Sequence, residues 1–327
     1  MSALAQRRPH AETGRLSLDR DGRDWPNRHA SRFVEANGMR WHVQRMGHGP
    51  RLLLLHGTGA STHSWREMLP LLARRFDVVA PDLPGHGFTD PAPARDMGLT
   101  GMSAGVAAFL RAIDFSPDIV VGHSAGAAVL ARMTLDGMIA PRLIVSLNGA
   151  FMPFEGLAGK VFPAIAKLLL VNPFAARFFS WTADENSVAR LLRGTGSRID
   201  RKGIELYRRL FSNTAHVSNV LAMMGNWNIG QLADDMMRLS TPLELVVADE
   251  DRAVPPAAAL KLVARLPHAT IRRLPGVGHL AHEEKPKLVA DMIIQLARAL
   301  EPPLAGLEAD ATPISPTILP TGLDADA

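Results

Sequence analysis

Residues 120–128, VVGHSAGAA, place a serine between two glycines at the end of an apolar run. The run at 119–121 is typical of a buried strand, and the apolar residues after the serine are typical of a helix. A nucleophilic serine on such a strand-to-helix turn has strained backbone angles, which small neighbours such as Gly122 and Gly126 accommodate. The pattern predicts that Ser124 is a nucleophile; the alternative is a serine that only ends a strand.

The composition is that of a globular protein with one large core. The chain has 327 residues, of which 47% are hydrophobic and 21% charged, so it is long enough for one extended domain with an insertion. Cysteine is absent, which excludes disulfides, thiolate nucleophiles and metal sites with cysteine ligands.

The sequence predicts a cytoplasmic protein. Residues 1–26 contain no apolar segment typical of secretory signals, and no run of about 18 uncharged apolar residues marks a membrane span. The net charge of +4 comes from scattered arginines, which leaves peripheral contact with an anionic membrane or an acidic ligand open. No zinc-finger spacing, basic zipper or aromatic RNA-binding pattern occurs, so we expect no nucleic-acid partner.

Strand-like and helix-like segments alternate, which predicts an α/β protein with a mostly parallel, doubly wound sheet. Asn37 and Gly38 predict a hairpin turn. Residues 150–239 lack strand-like runs and are rich in aromatic residues and methionine, which predicts a helical cap inserted into the core. The predicted organisation is flexible tails at 1–30 and 302–327, core segments at 31–149 and 240–301, and the cap at 150–239.

A serine hydroxyl needs a base, and the base needs an acid that orients it. His279 follows the last predicted strand on a glycine-rich loop, where its ring can reach Ser124. Three acids, Asp249, Glu250 and Asp251, follow the strand-like run LELVVA. We favour Asp251 because it directly precedes the helix start RAVPP; the alternative is that all three are solvated turn residues.

His282 follows His279 at a spacing that could ligate a metal. No third ligand and no H-E-x-x-H arrangement accompanies the pair. We therefore expect His282 to be structural, and we predict neither a metal site nor a cofactor.

Attack on a carbonyl creates an oxyanion, which each well-placed N–H donor stabilises by about 3 kcal/mol. One predicted donor is the N–H of Ala125, directly after the serine. The second is expected in HGTG at 56–59, where Gly57 and Gly59 let the chain turn its amides inward. We predict that Thr58 N–H is this donor and that His56 braces the loop.

Five ordered segments resemble the α/β-hydrolase superfamily: LLLLHGTG, VVAPDLPGHGFTD, VVGHSAG, VVADEDRAVP and GHLAHEEKP. The resemblance covers about residues 30–300 and implies a Ser124–Asp251–His279 triad with Thr58 and Ala125 as oxyanion donors. In some relatives the acid follows the preceding strand, but here that position reads LNG at 147–149, without a carboxylate. This departure favours Asp251, although Ala248 stands where a glycine is usual.

A closer resemblance spans both core and cap. The segments HGTGASTHSWR, LNGAFMPF, RLLRGTGS and AHVSNVLAMMGNW are similar to the magnesium-chelatase accessory proteins of bacteriochlorophyll biosynthesis in phototrophic bacteria. This resemblance implies a role in photosynthesis, at or near magnesium insertion into protoporphyrin, with chelatase subunits as possible partners. The chain has no ATP-binding loop, so the resemblance does not imply that it is the chelatase itself.

The cap composition is compatible with a hydrophobic small-molecule substrate such as a tetrapyrrole. We predict that aromatic and methionine side chains of the cap line an apolar cavity, and that some of its arginines meet carboxylates. The candidate lining residues are Phe151, Trp181, Met223, Met224 and Trp227. The alternative is that most of these side chains form the core of the cap.

Two functions follow from the sequence. The first is a serine hydrolase that cleaves an ester-like bond through an acyl-enzyme and acts as an accessory to magnesium chelatase. The second is a non-catalytic scaffold that keeps the hydrolase fold and binds a tetrapyrrole or contacts the chelatase.

Overall fold

The computed structural model describes residues 14–152 and 174–307. The strands in these ranges are β1 (Ser31–Ala36), β2 (Met39–Met46), β3 (Arg51–Leu55), β4 (Asp77–Pro81), β5 (Ile119–His123), β6 (Leu143–Leu147), β7 (Leu243–Ala248) and β8 (Ala269–Leu274). The helices are α1 (Met68–Leu72), α2 (Leu99–Ala112), α3 (Ala125–Leu135), α4 (Ala175–Trp181), α5 (Glu185–Gly194), α6 (Arg201–Phe211), α7 (Thr214–Asn226), α8 (Gly230–Asp235), α9 (Pro256–Val263), α10 (Ala281–Glu284) and α11 (Pro286–Arg298). Short 3₁₀ helices span Arg28–Ala30, Thr62–Trp65, Ala94–Asp96 and Met236–Arg238.

The strands form one sheet in the order β1-β2-β4-β3-β5-β6-β7-β8. The six strands from β4 to β8 in this order are parallel, whereas β1 and β2 run antiparallel at one edge. Asn37 and Gly38 link β1 to β2 with φ of 50° and 73°, which confirms the predicted hairpin turn. The arrangement confirms the predicted mostly parallel sheet and brings the carboxyl ends of β3, β5, β6 and β7 to one edge.

Both faces of the sheet are covered by helices, and the central strands are apolar at most positions. Leu53 and Leu55 of β3 pack on the side of α2 and α3, while Leu52 and Leu54 pack on the side of α1 and α11. All four leucines are fully buried, and burying each contributes about 1.5–3 kcal/mol. Because both faces of β3 are buried, residues 52–55 are all apolar and do not alternate with polar residues.

Helices α4 to α8 follow β6 and precede β7, at the place where the cap was predicted. The predicted cap includes residues 153–173, which lie outside the described residues. None of the helices in the described ranges has the length and hydropathy needed to cross a bilayer.

A buried polar cluster attaches the cap to the core. Arg66, after the 3₁₀ helix Thr62–Trp65, forms an ion pair with Glu283 of α10, and its other terminal nitrogen lies 3.1 Å from Asp200 of the cap. Tyr207 of α6 donates a hydrogen bond of 2.8 Å to Glu283. Burial raises the pKa of Glu283 to about 7, although Arg66 and Tyr207 both act to lower it. Separating cap from core would leave Glu283 without Tyr207 and Arg66 without Asp200.

Both predicted tails are shorter than expected. The expectation of a flexible tail is wrong for residues 14–30, because Leu18 and Trp25 pack against Phe88 and against Leu206 and Leu210 of α6. It is also wrong for residues 302–307, since Leu304 and Leu307 join the core cluster beside α11. Residues 1–13 and 308–327 lie outside the described residues. The apolar residues of these two segments are isolated, so the sequence shows no periodic pattern from which this packing could be predicted.

Buried histidines surround the edge where the parallel strands end. Six of them have a pKa lowered primarily by burial: His56, His63, His86, His123, His216 and His282. The pKa falls to about 4 for His216 and to about 3 for His282. An unfolded histidine takes up a proton as the pH falls through about 6.5. The six buried rings stay neutral to lower pH in the folded protein, down to about 4 for His216 and about 3 for His282.

We predict that the protein loses stability steeply as the pH falls below about 6.5. The unfolded chain binds more protons than the folded chain in this range, so the stabilisation present above about pH 6.5 is lost towards acid pH. His282→Leu should reduce the slope of unfolding free energy against pH by about 1.4 kcal/mol per pH unit, measured by urea unfolding between about pH 6 and pH 4. Gln231→Leu, at an exposed residue that does not titrate, is the control and should leave the slope unchanged. An unchanged slope in His282→Leu would contradict the assignment.

Candidate active site

Ser124 occupies the turn between β5 and α3. Its φ of 52° and ψ of −118° are strained for a residue with a side chain. A Cβ atom at Gly122 would lie 2.4 Å from the Ala127 nitrogen, and one at Gly126 would lie 2.3 Å from the Leu55 carbonyl oxygen. Glycine is therefore required at both flanking positions, because β5, α3 and β3 approach each other at backbone distance.

Asp251 and His279 lie in direct contact. His279 Nδ1 donates a hydrogen bond of 2.7 Å to Asp251 Oδ2. The other carboxylate oxygen, Oδ1, accepts hydrogen bonds from the backbone N–H groups of Ala253 and Val254, at 2.8 and 2.9 Å. The Asp251 side chain is fully buried, so its carboxylate is fixed in position and orients the imidazole.

The structure distinguishes the three acids that follow β7. Asp249 forms a surface ion pair with Arg273 at 2.8 Å, and Glu250 is exposed. Asp251 alone of the three contacts His279. The difference arises because the chain turns back at Ala248, whose carbonyl accepts a hydrogen bond from Asp251 N.

His279 packs against His123, the residue before Ser124, and no hydrogen bond joins the side chains of Ser124 and His279 in the described structure. The carbonyl of His279 accepts hydrogen bonds from His123 Nε2 at 3.0 Å and from Asn148 Nδ2 at 2.8 Å. The rings of His123 and His279 are 4.7 Å apart, and His123 directly precedes Ser124. His279 Nε2 has no partner within residues 14–152 and 174–307, so it is available to a hydroxyl; in enzymes without ligand such a contact is often long.

The loop after β3 packs against the serine turn, as expected for an oxyanion donor. A Cβ atom at Gly57 would lie 3.0 Å from the Cβ of Ser124, so the two backbones are close. His56 braces the loop, since its Nδ1 donates to Gly57 O at 2.8 Å and its Nε2 accepts from Leu83 N at 2.9 Å. Gly59, with a φ of +79°, turns the chain towards Phe211 of the cap.

Thr58 and Ala125 are the two residues whose N–H groups were predicted to be oxyanion donors. Thr58 is exposed, and its hydroxyl lies 3.8 Å from the Met223 sulfur. Ala125 is the first residue of α3, where N–H groups have no partner within the helix and the helix dipole favours negative charge. Across the described ranges, neither backbone N–H is engaged by another residue.

Asn148 is a site residue that the sequence analysis did not identify as one. Its Oδ1 accepts from Ala248 N at 2.8 Å, and its Nδ2 donates to the carbonyls of Gly278 and His279. The amide thus joins the ends of β6 and β7 to the His279 loop. The sequence analysis noted this position only because it lacks a carboxylate. In the structure Asn148 has a φ of 49°, a left-handed conformation that asparagine adopts more readily than most residues.

The cap segment 195–197 is a second unanticipated part of the site. The carbonyl of Thr195 accepts from the N–H groups of Arg252 and His279, and Ser197 Oγ accepts from Leu280 N at 2.8 Å. A Cβ atom at Gly196 would lie 1.9 Å from the Glu250 carbonyl oxygen. Nothing local in the sequence GTGS at 194–197 indicated that it would pack between the loops of the acid and the base.

The predicted lining residues of the cap differ in placement. Phe151 and Met223 are buried in the core cluster beside α3, while Met224 and Trp227 are half-buried. The prediction that Trp181 lines an apolar cavity is wrong, because 82% of its side chain is exposed. A cavity of about 110 Å³ does lie in the cap, lined by Ala189, Leu192, Arg193, Ser197, Arg198, Ile199 and Ile204.

Comparison with known proteins gives this arrangement a context. The sequence profile of the alpha/beta hydrolase family matches residues 52–292. The magnesium-chelatase 30 kDa subunit of Rhodobacter capsulatus is 38% identical over 274 residues, which cover 83% of this chain and 95% of that protein.

Solved structures share the fold at low sequence identity. An alpha/beta hydrolase fold protein from Burkholderia ambifaria superposes with a TM-score of 0.70 at 22% identity, over 81% of this chain and 97% of that one. The serine hydrolase CarC, involved in carbazole degradation, gives a TM-score of 0.68 at 21% identity over the same shares. The profile match and the 38% identical relative go beyond a likeness of fold, and they show that the chain belongs to the α/β-hydrolase family.

Proposed function

We propose that this protein is a serine hydrolase that works through an acyl-enzyme, with Ser124 as nucleophile, His279 as base and Asp251 as the acid that orients the base. The observation that carries the proposal is the hydrogen bond of 2.7 Å between a buried Asp251 and His279, beside a serine with strained backbone angles. A buried carboxylate on Nδ1 leaves Nε2 to exchange a proton with a hydroxyl.

The reaction takes two steps. Ser124 Oγ attacks the carbonyl carbon while His279 Nε2 takes the hydroxyl proton, and the resulting imidazolium is stabilised by Asp251. The proton then passes to the leaving oxygen or nitrogen, and the acyl group stays on Ser124. Water attacks this ester, His279 takes the water proton and returns it to Ser124, and the acid product leaves.

The oxyanion formed in both steps needs donors that are already oriented. The N–H groups of Thr58 and Ala125 suit this role because they lie on adjoining loops and are not engaged elsewhere among the described residues. Each such donor lowers the barrier by about 3 kcal/mol.

The substrate is proposed to be a hydrophobic molecule that carries an ester-like bond and an acidic group. Met223 lies against Thr58, and Met224 and Trp227 on the same helix are half-buried. Arg193 and Arg198 line the cap cavity of about 110 Å³, which is large enough for a carboxylate but not for a macrocycle. A tetrapyrrole is hydrophobic and carries carboxylate side chains, and esterification of one of them would supply the ester-like bond.

The biological role is proposed by analogy with the relative named as a magnesium-chelatase 30 kDa subunit. On this basis the protein serves as an accessory to magnesium chelatase in bacteriochlorophyll biosynthesis, in the cytoplasm, and contacts chelatase subunits or a tetrapyrrole. The same name favours a second candidate function, in which the fold acts as a non-catalytic scaffold.

A fluorophosphonate probe tests the nucleophile. We expect it to label the folded full-length protein at Ser124 and not to label Ser124→Ala, because only a hydroxyl activated by a base attacks phosphorus readily. Ser212→Ala, which removes an exposed serine of the cap, is the matched control and should label normally. Absence of labelling in folded wild-type protein would support the scaffold.

Replacing the acid tests its role in orienting the base. Asp251→Asn should lower kcat/KM for a chromogenic ester by about 10⁴-fold, because an amide on Nδ1 favours the wrong imidazole tautomer. Asp249→Asn should leave kcat/KM within about twofold of wild type, since its partner is Arg273 on the surface. Equal losses in the two variants would argue against a specific role for Asp251.

Pigment synthesis distinguishes the two candidate functions in cells. In a strain that lacks the gene, we expect wild type but not Ser124→Ala to restore bacteriochlorophyll. Full restoration by a stably expressed Ser124→Ala protein would show that hydrolysis is not the physiological role. Absorbance titration with protoporphyrin and with its magnesium form then tests binding directly.

A further inference from the structure

Helix α4 of the cap turns its small residues inward and its large ones outward. Ala176 packs against Val217 and Leu221 of α7. Ser180 shares a hydrogen bond of 2.7 Å with the hydroxyl of Thr214. The helix thus contacts the cap through alanine and serine, which is the reverse of the usual pattern for a surface helix.

The outward side carries what we call the cap aromatic patch, which consists of Phe178, Phe179 and Trp181. Their side chains are 59%, 45% and 82% exposed. Phe178 and Trp181 are three residues apart and therefore share one face of the helix. Three such rings leave on the order of a few hundred Å² of apolar surface in water, as much as the largest functional patch on a typical monomer.

Exposed arginines lie on α4 itself and on α5, the next helix along the chain. Arg177 is exposed on α4 itself, and Arg190 and Arg193 are exposed on α5, which starts four residues after Trp181. Among the described residues, no carboxylate lies within ion-pair distance of these three arginines. Arg190 acts on Asp184 at longer range: hydrogen bonds from Ser187 lower the pKa of that carboxyl most, and the charge of Arg190 adds to the effect. The two nearest acids in sequence are already engaged, since Asp184 caps α5 through Ser187 N and Glu185 pairs with Arg201.

We propose that the cap aromatic patch inserts into the headgroup layer of an anionic bilayer, with Arg177 and Arg190 contacting lipid phosphates. Tryptophan and phenylalanine flanked by arginine are typical of helices that lie in the membrane interface, and guanidinium groups bind phosphate in a bidentate manner. A net charge of +4 adds a general attraction to the same surface.

A second copy of the chain fits the patch less well. A symmetric dimer would bring the same patch of both copies together and set the arginines of one against those of the other. Burying unpaired like charges in an interface is costly, whereas lipid phosphates neutralise them.

Membrane contact at this patch does not depend on hydrolysis. Ser124→Ala keeps the patch and should bind vesicles as wild type does. A failure of the proposed chemistry and a failure of the membrane proposal are therefore separate results.

Sedimentation with vesicles tests the proposal on the full-length protein. We expect binding to vesicles of phosphatidylcholine mixed with phosphatidylglycerol, at least about tenfold weaker binding to phosphatidylcholine alone, and weaker binding at high salt. The double variant Phe178→Ala/Trp181→Ala should bind the mixed vesicles at least about tenfold more weakly than wild type. Leu260→Ala/Leu288→Ala is the matched control, because these half-exposed leucines lie on α9 and α11 of the core.

Charge reversal and fluorescence locate the contact. Arg177→Glu/Arg190→Glu should weaken binding strongly, while Arg74→Glu/Arg111→Glu, an equal change in charge on the exposed surface of the core, should weaken it much less. Trp181 emission should shift to the blue on binding, and Trp181→Phe should keep the binding but lose the shift.

Two results would overturn the proposal. One is equal vesicle binding by wild type and the aromatic double variant. The other is a protein that does not bind either vesicle but whose dimer, seen by analytical ultracentrifugation, dissociates when the patch is removed; the occupant would then be a second copy.

Discussion

The carboxamide of Asn148 holds together the chain segments on which the candidate site depends. One end of the amide accepts the N–H of Ala248 at the end of β7, and the other donates to the carbonyls of Gly278 and His279. Such a group is buried and fully engaged, so removing one of its partners would leave a polar atom unsatisfied at a cost of about 1–3 kcal/mol. The position of the imidazole thus depends on an amide that itself takes no part in the chemistry proposed here.

The sheet was predictable because its signals are local. Continuous apolar runs such as the one ending at Leu55 occur only where both faces of a strand are covered, and Asn37-Gly38 accommodates the positive φ angles of a tight hairpin. The order of the serine, acid and histidine along the chain was equally visible, since each follows a strand-like run. Parallel strands bring such positions to one edge without any further information.

The parts that the sequence did not reveal depend on contacts between distant residues. Nothing near Gly196 indicates that it packs against the carbonyl of Glu250, and nothing near Trp25 indicates that it packs against a cap helix. Trp181 is the reverse case: its side chain was expected to line a cavity, but it is exposed to solvent. Whether an apolar side chain points inward depends on which face its helix presents, and α4 is too short for periodicity to fix that.

The junction between the GTGS segment and the His279 loop links the shape of the cap to the alignment of the base. Thr195 and Ser197 hold the backbone of His279 and Leu280 through two hydrogen bonds, and Arg66 joins the same region of the cap to Glu283 a few residues further on. A swing of the cap large enough to admit a bulky molecule would break these bonds and release the imidazole from its place. With the cap open, a ligand could enter but His279 would not be held in place. The protein could therefore attack an ester only after the cap had closed again.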